Sequence, residues 1–130
     1  MVTDPISDFI TRITTASAAR KAIVAVPYSQ LKESIAHSLE KSGFVKAVVK
    51  KGKKISKTLE FELIYIGDEP RVHGAQRISK PSRRIYQRAR DIRILRSGYG
   101  ACIFSTPKGI LSDIEAKRLK VGGEVLFKIW

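Results

Sequence analysis

The segment Ala101-Cys102-Ile103-Phe104-Ser105-Thr106-Pro107-Lys108-Gly109-Ile110-Leu111-Ser112-Asp113-Ile114-Glu115 holds three structural signals in one short run. Ala101–Ser105 is an unbroken apolar run, short enough for a strand covered on both faces. Gly109-Ile110-Leu111 opens a second short strand. Ser112 with Glu115 three residues on forms a capping box, which predicts a short helix to about Lys120. Gly122-Gly123 is then expected to stop that helix. Val125–Trp130 reads as a closing strand with Val125, Phe127 and Ile129 on one face. Two turns result, Ser105–Gly109 and Gly122–Glu124, each setting small residues beside polar ones between buried strands.

Upstream lies the charge. Arg71–Arg96 contains nine Lys or Arg and one acid, Asp91. The 130-residue chain has a formal net charge of +13. Residues 67–130 contribute 14 basic and 6 acidic side chains, a net of +8, which equals the excess of that one stretch. A concentrated patch of this kind favours nucleic acid as partner. Val72–Ile78 and Arg83–Tyr86 are strand candidates separated by Ser79-Lys80-Pro81-Ser82. Arg88–Leu95 is ambiguous, with Ile92 and Leu95 spaced for a helical turn, and Gly98-Tyr99-Gly100 breaks the chain before Ala101.

The first half reads as helix and hairpin. Thr3 or Asp4 caps a helix with Pro5 in its first turn, and Ile6, Phe9, Ile10 and Ile13 form its apolar stripe. Ile23–Val26 is a short strand ended by Pro27. Ser29 caps a second helix with Leu31, Ile35, Ala36 and Leu39 inward and Gly43 as its stop. Phe44–Val49 and about Thr58–Ile66 form a hairpin turned by Lys50-Lys51-Gly52-Lys53-Lys54, with Leu59, Phe61, Leu63 and Tyr65 alternating against Glu60 and Glu62. Gly67-Asp68-Glu69-Pro70 is the best boundary between halves. The expected fold is α+β in two small α/β halves: residues 1–66 with helices packed on a short sheet, and residues 67–130 mostly β with a short helix.

Hydrophobic residues make up 43% of the chain, enough for a real core. No apolar run reaches the ~20 residues of a membrane span, and the N-terminus does not read as a signal peptide, so no membrane partner is expected. Cys102 is the single cysteine; in its apolar run it reads as a buried, inert thiol in a reducing compartment. No Cys/His cluster has metal-ligand spacing. His37 reads as a surface or partly buried side chain, and Asp113 and Glu115 as acids complementing a helix N-terminus. Neither an enzyme nor a cofactor is expected.

Binding chemistry is better supplied. Arg77, Lys80, Arg83, Arg84, Arg88 and Arg90 suit phosphates. Tyr86 among them suits stacking on a sugar or base, unless its ring packs inward beside Ile85. The hydroxyls of Ser105 and Thr106 are both donors and acceptors, fit to read base edges or 2′-OH groups, although the same residues would also make an ordinary strand-ending turn. Glu124 is repelled by a polyanion unless it accepts base donors or orients a neighbouring Arg or Lys.

At these residues the chain closely resembles the bacterial-type small-subunit ribosomal protein eight family. The resemblance rests on Ser105–Gly109, Gly122–Glu124, Arg84-Ile85-Tyr86, Arg77-Ile78-Ser79-Lys80-Pro81, Asp4-Pro5-Ile6 and Thr11-Arg12-Ile13, and covers essentially the whole chain. It implies a non-enzymatic protein of a cytoplasmic (or organellar) ribosome that binds the central domain of small-subunit rRNA, neighbours other small-subunit proteins, and in some bacteria binds its own operon mRNA. It further implies RNA contacts from Ser105, Thr106, Pro107, Lys108 and Gly109, from Gly122, Gly123 and Glu124, from Tyr86, Arg84, Arg83 and Lys80, and from Arg12 and Lys32 in the first half. Two departures matter: Pro107 replaces the family Ser and lacks both hydroxyl and N–H, and Thr14-Thr15 replace Arg-Asn. The rival class is a free-standing, sequence-indifferent nucleic-acid chaperone. Such binders favour cations and aromatics without acids, so Glu124 argues against it.

Overall fold

The computed structural model describes residues 4–53, 55–95 and 99–130. Thr3, Lys54 and Gly98, each named in a sequence expectation, lie outside the described residues, as does Arg96. Helix α1 spans Pro5–Ala18, capped by the Asp4 carboxylate, which accepts the Ser7 N–H at 3.3 Å. Its Ile6, Phe9, Ile10 and Ile13 are buried as the spacing predicts. Strand β1 is Ile23–Pro27 and helix α2 is Gln30–Lys41, capped by Ser29. Ile35, Ala36 and Leu39 of α2 are buried, but Leu31 is exposed. Leu31 falls in the first turn of the helix.

Strands β2 (Val45–Lys51) and β3 (Thr58–Leu63) form the expected hairpin, and the first sheet has the order β1-β3-β2. Its register shifts between Lys46 and Val49, where Ala47 has φ +54°, so β2 carries a bulge. Leu59, Phe61 and Leu63 alternate inward, and Tyr65, beyond the end of β3, packs partly buried against the same core. Tyr65 belongs to a separate two-stranded ribbon of β4 (Tyr65–Ile66) and β5 (Glu69–Pro70) across the expected turn.

The second sheet is built on β10 (Gly123–Ile129). On one side it pairs with β8 (Ala101–Thr106), which pairs in turn with β9 (Gly109–Ser112). On its other side it pairs with two short strands, β6 (Ala75–Arg77) beside Phe127–Ile129 and β7 (Tyr86–Gln87) beside Gly123–Glu124. Both expected strands of the basic stretch are therefore shorter than the sequence suggests. Within the ambiguous segment, Ala89–Asp91 makes a 3-10 turn.

Helix α3 spans Asp113–Arg118 behind the predicted capping box. Its end corrects the sequence reading, because Gly122-Gly123 does not stop it. Lys120, at φ +55°, takes the left-handed position, and the Val121 N–H closes on the Ala116 carbonyl at 3.0 Å. The same motif ends α1 at Arg20 and α2 at Gly43, with φ of +57° and +82°. Glycine is thus used at one of three such positions, and the other two accept the cost of a side chain there.

One large core joins the halves. It contains the α1 and α2 stripes, Val24, Val26, Leu59, Phe61 and Leu63, together with Val72, Ala101, Ile103, Leu126, Phe127 and Ile129. A second core behind it holds Ile92, Cys102, Phe104, Leu111, Ala116 and Val125. Strand β8 serves both, with Ala101 and Ile103 facing one and Cys102 and Phe104 the other. The register of β10 against β8 shifts between Val125 and Phe127. Val125 therefore enters the second core while Phe127 and Ile129 enter the first, and the expected common face for all three is wrong. Burial in the second core pushes the Cys102 thiol up to about 12, with the Asp113 charge adding to the effect.

Candidate nucleic-acid interface

The two turns meet across β10. Glu124 is paired with Ser105 of β8 on one side and with Tyr86 of β7 on the other. Residues directly opposed in antiparallel strands share a face, so Tyr86, Glu124 and Ser105 form a row across three adjacent strands. Gly122 and Gly123 permit this approach. A Cβ on Gly123 would lie 2.2 Å from the Ser105 carbonyl oxygen, and one on Gly122 would lie 2.3 Å from that of Gln87. The glycines read as a helix stop act instead as the wedge between the two flanking strands.

Glu124 organises the row. It accepts a hydrogen bond from the Ser79 hydroxyl and another from Arg84 Nη1 at 3.0 Å, and its side chain is 16% exposed. Burial disfavours its charge, but the bonds from Ser79 and Arg84 and the positive charges of Arg84 and Arg77 outweigh that and hold its carboxyl below the usual value. Ser79 is itself buried, and its oxygen accepts the Ile85 N–H at 3.1 Å. The Ile85 carbonyl accepts from Val125 at 2.9 Å. Between these anchors Lys80 and Arg83 exchange backbone hydrogen bonds, each 3.0 Å, and close an exposed turn carrying both cations. Of the two roles open to Glu124, orienting an Arg is the one the geometry makes.

Tyr86 is 67% exposed, so the inward-packed alternative for its ring is excluded. The Thr106 hydroxyl is committed locally, donating to the Gly109 carbonyl at 2.8 Å and accepting the Lys108 N–H at 3.1 Å. It shapes the turn, in which Gly109 has φ +110° and Pro107, Lys108 and Gly109 are exposed. Ser105 has no side-chain partner among the described residues and keeps both donor and acceptor.

Arg77 is a correction. The sequence groups it with the phosphate-binding cations, yet its side chain is 7% exposed and paired with Asp4 at 3.0 Å. Its Nη1 also donates to the Leu126 carbonyl at the β10 bulge. Arg84, Arg88 and Arg90 remain exposed. Arg12 is paired with Asp8 on α1, and Lys32 on α2 reaches the Pro27 carbonyl at 3.4 Å. Neither shares a hydrogen bond or ion pair with the row. The sequence reading missed Ser79 and Asp113. Asp113 is fully buried and accepts the Leu95 N–H at 2.7 Å, tying the basic segment to α3. A Ser in a charged loop and an acid beside a helix cap carry no signal that separates these roles from ordinary ones.

Among the described residues no three His, Cys, Asp or Glu side chains gather as a metal site, and no helix is long and apolar enough to cross a membrane. Comparison with known proteins identifies the family. Residues 4–130 match the family model described as ribosomal protein S8. The chain belongs to the ribosomal protein S8 family. The small ribosomal subunit protein uS8 of Chloroflexus aurantiacus is 48% identical, over 99% of this chain and 98% of that protein. That of Persephonella marina is 43% identical over the whole of both chains, and that of Mycoplasmopsis agalactiae 42% over 99% and 98%. Membership sets the chain among structural ribosomal proteins, not enzymes.

Proposed function

We propose that this chain is a structural component of the small ribosomal subunit in the cytoplasmic ribosome, binding the central domain of the small-subunit rRNA directly and supporting assembly of the platform. One observation carries this reading: Tyr86, Glu124 and Ser105 stand side by side on β7, β10 and β8, with Arg84 held against Glu124. A ring suited to stacking, an unpartnered hydroxyl, and a guanidinium fixed in direction together suit a shaped RNA surface. Lys80, Arg83 and Lys108 around it supply phosphate attraction. Pro107 contributes shape alone, and Gly109, Gly122 and Gly123 let backbone approach the ligand. Residues 1–66 act as a scaffold half with lesser contacts through Arg12 and Lys32, and residues 67–130 as the RNA-binding half. Neighbouring small-subunit proteins are its other partners.

The test is competition binding at physiological salt between a central-domain rRNA fragment and a shuffled RNA of equal length. A clear preference for the fragment is expected, and equal affinities would remove the reading in favour of a sequence-indifferent chaperone. An operon mRNA that folds like the rRNA site would bind the same face. Mutual exclusion of the two RNAs is the expected result there.

A further inference from the structure

The β2–β3 hairpin carries charge that the C-terminal face does not use. Residues 46–57 hold six lysines and no acid. Lys51 is paired with Glu60 at 3.3 Å. Among the described residues Lys50, Lys53 and Lys57 have no carboxylate partner. The ammonium groups of Lys50 and Lys57 lie over the Tyr28 ring, 5.0 and 5.7 Å from its centroid. That ring is itself fixed: Tyr28 donates its hydroxyl to Glu33 and its N–H to the Lys57 carbonyl, each at 3.1 Å. Two cations are thus gathered at one place with their N–H donors free. The turn is closed by Ser56 N–H on the Lys53 carbonyl at 2.9 Å, and Gly52 at φ +101° has no room for a side chain. Beyond it Ile55 stands 98% exposed. Strand β2 is a sheet edge, so its lysines flank no further strand.

The kind of cation differs between the two surfaces. The Arg71–Arg96 stretch has eight Arg and one Lys, whereas residues 46–57 have Lys alone. Arg offers a planar fork that fixes geometry; Lys is a flexible, strongly hydrated point charge. A lysine cluster whose ammonium groups have no paired carboxylate suits evenly charged phosphates and gives no base readout.

We propose that the hairpin is a second RNA contact, in which Lys50, Lys53 and Lys57 hold phosphates of the small-subunit rRNA without regard to sequence. This rests on the RNA-binding reading of the chain. The test is the triple variant Lys50→Gln, Lys53→Gln, Lys57→Gln in the full-length protein, with folding verified by thermal melting. Binding to the central-domain fragment and to the shuffled RNA is measured over a salt series. The log–log slope should flatten by about two to three units, from roughly 0.7–0.9 per phosphate contact, with at least about tenfold weaker binding near physiological salt. The preference for the fragment should stay unchanged. A slope equal to that of the parent protein would overturn the proposal. So would a lost preference, which would make the hairpin a reader of sequence. If the slope is unchanged but the variant fails to enter small subunits, the hairpin docks protein instead of RNA. Failure of the C-terminal reading is distinct, since it appears as no preference in the parent protein.

Discussion

Replacing Glu124 separates an organising carboxylate from a bystander. In Glu124→Ala the Ser79 hydroxyl loses its acceptor while remaining fully buried, and an orphaned buried donor costs about 1–3 kcal/mol. Arg84 is half-exposed, so its ion pair adds only about 0–1 kcal/mol. The sum is about 1–4 kcal/mol. Glu124→Gln keeps an amide oxygen for Ser79 and gives up charge assistance and the ion pair, about 1 kcal/mol. Urea unfolding at pH 7 should therefore rank the parent above Gln and Gln above Ala, with the Ala midpoint lower by about 0.5–2 M at a slope of roughly 2 kcal/mol per M. In the competition assay Ala should lose most of the preference for the cognate fragment, because Arg84 is no longer aimed, while shuffled RNA binds as before. Equal stability of the Ala variant and the parent would refute the organising role. So would a uniform gain in affinity for every RNA, which would mark Glu124 as a merely repulsive charge.

The pH dependence follows from the same contacts. Glu124 has a folded value below its unfolded one. Its contribution is fully present above the unfolded carboxylate value of about 4.3 and is lost as pH falls through the lower folded value. The stability gap between parent and Glu124→Gln should hold from neutral pH to about 5 and close below about 4. A gap that widened with acid would contradict the sign.

Gly123→Ala forces a Cβ against the Ser105 carbonyl, so calorimetry should show a loss of at least about 2 kcal/mol, together with the RNA preference. Gly67→Ala meets open space at φ +64° and should cost about 1 kcal/mol; the reverse ranking would refute the wedge role. For the buried pair, Arg77→Met should cost about 2–4 kcal/mol. A double-mutant cycle with Asp4→Asn, which keeps the α1 cap, should show about 1–2 kcal/mol of coupling, and additivity within about 0.5 would deny the pair. Cys102, with its thiol pushed up to about 12, should react with a thiol reagent at pH 8 only as fast as the protein unfolds. Labelling within seconds of the native protein would show an accessible thiolate.

Local signals carried much of the architecture. Side-chain caps at Asp4, Ser29 and Ser112, the α1 stripe and the β2–β3 hairpin each depend on residues a few positions apart, so they can be read along the chain. What escaped depends on neighbours brought from afar. The β10 bulge sends Val125 away from Phe127, and nothing within Val125–Trp130 announces it, since its support is the Arg77 guanidinium on the Leu126 carbonyl. The Gly122-Gly123 pair follows a helix, so a stop was the natural expectation. Its real constraint, two carbonyls from residues 87 and 105, exists only once three strands are assembled. In the candidate site, small residues and hydroxyls marked the two turns that β10 brings together. Which hydroxyl stays free, Ser105 and not Thr106, is decided by a turn geometry that composition does not encode.

The acids explain how so positive a chain holds together. Asp4 caps α1 and pairs Arg77; Asp8 pairs Arg12; Glu33 takes the Tyr28 hydroxyl; Glu40 meets His37 and the Val48 N–H. Glu60 pairs Lys51, Glu69 approaches His73, Asp113 takes the Leu95 N–H, Glu115 closes the capping box, and Glu124 holds Ser79 and Arg84. Among the described residues nine of the twelve acids are thus engaged within the protein, several on backbone donors where no cation is consumed. Among the described residues most of the exposed cations are left without a carboxylate, so the positive excess faces outward instead of being neutralised in surface pairs. In a binder of polyanions an acid persists where it builds structure, and among these nine Glu124 is the acid whose structural work lies inside the proposed binding row. Its removal should therefore affect recognition more than any of the other eight, even where Asp4 or Asp113 matters more to stability.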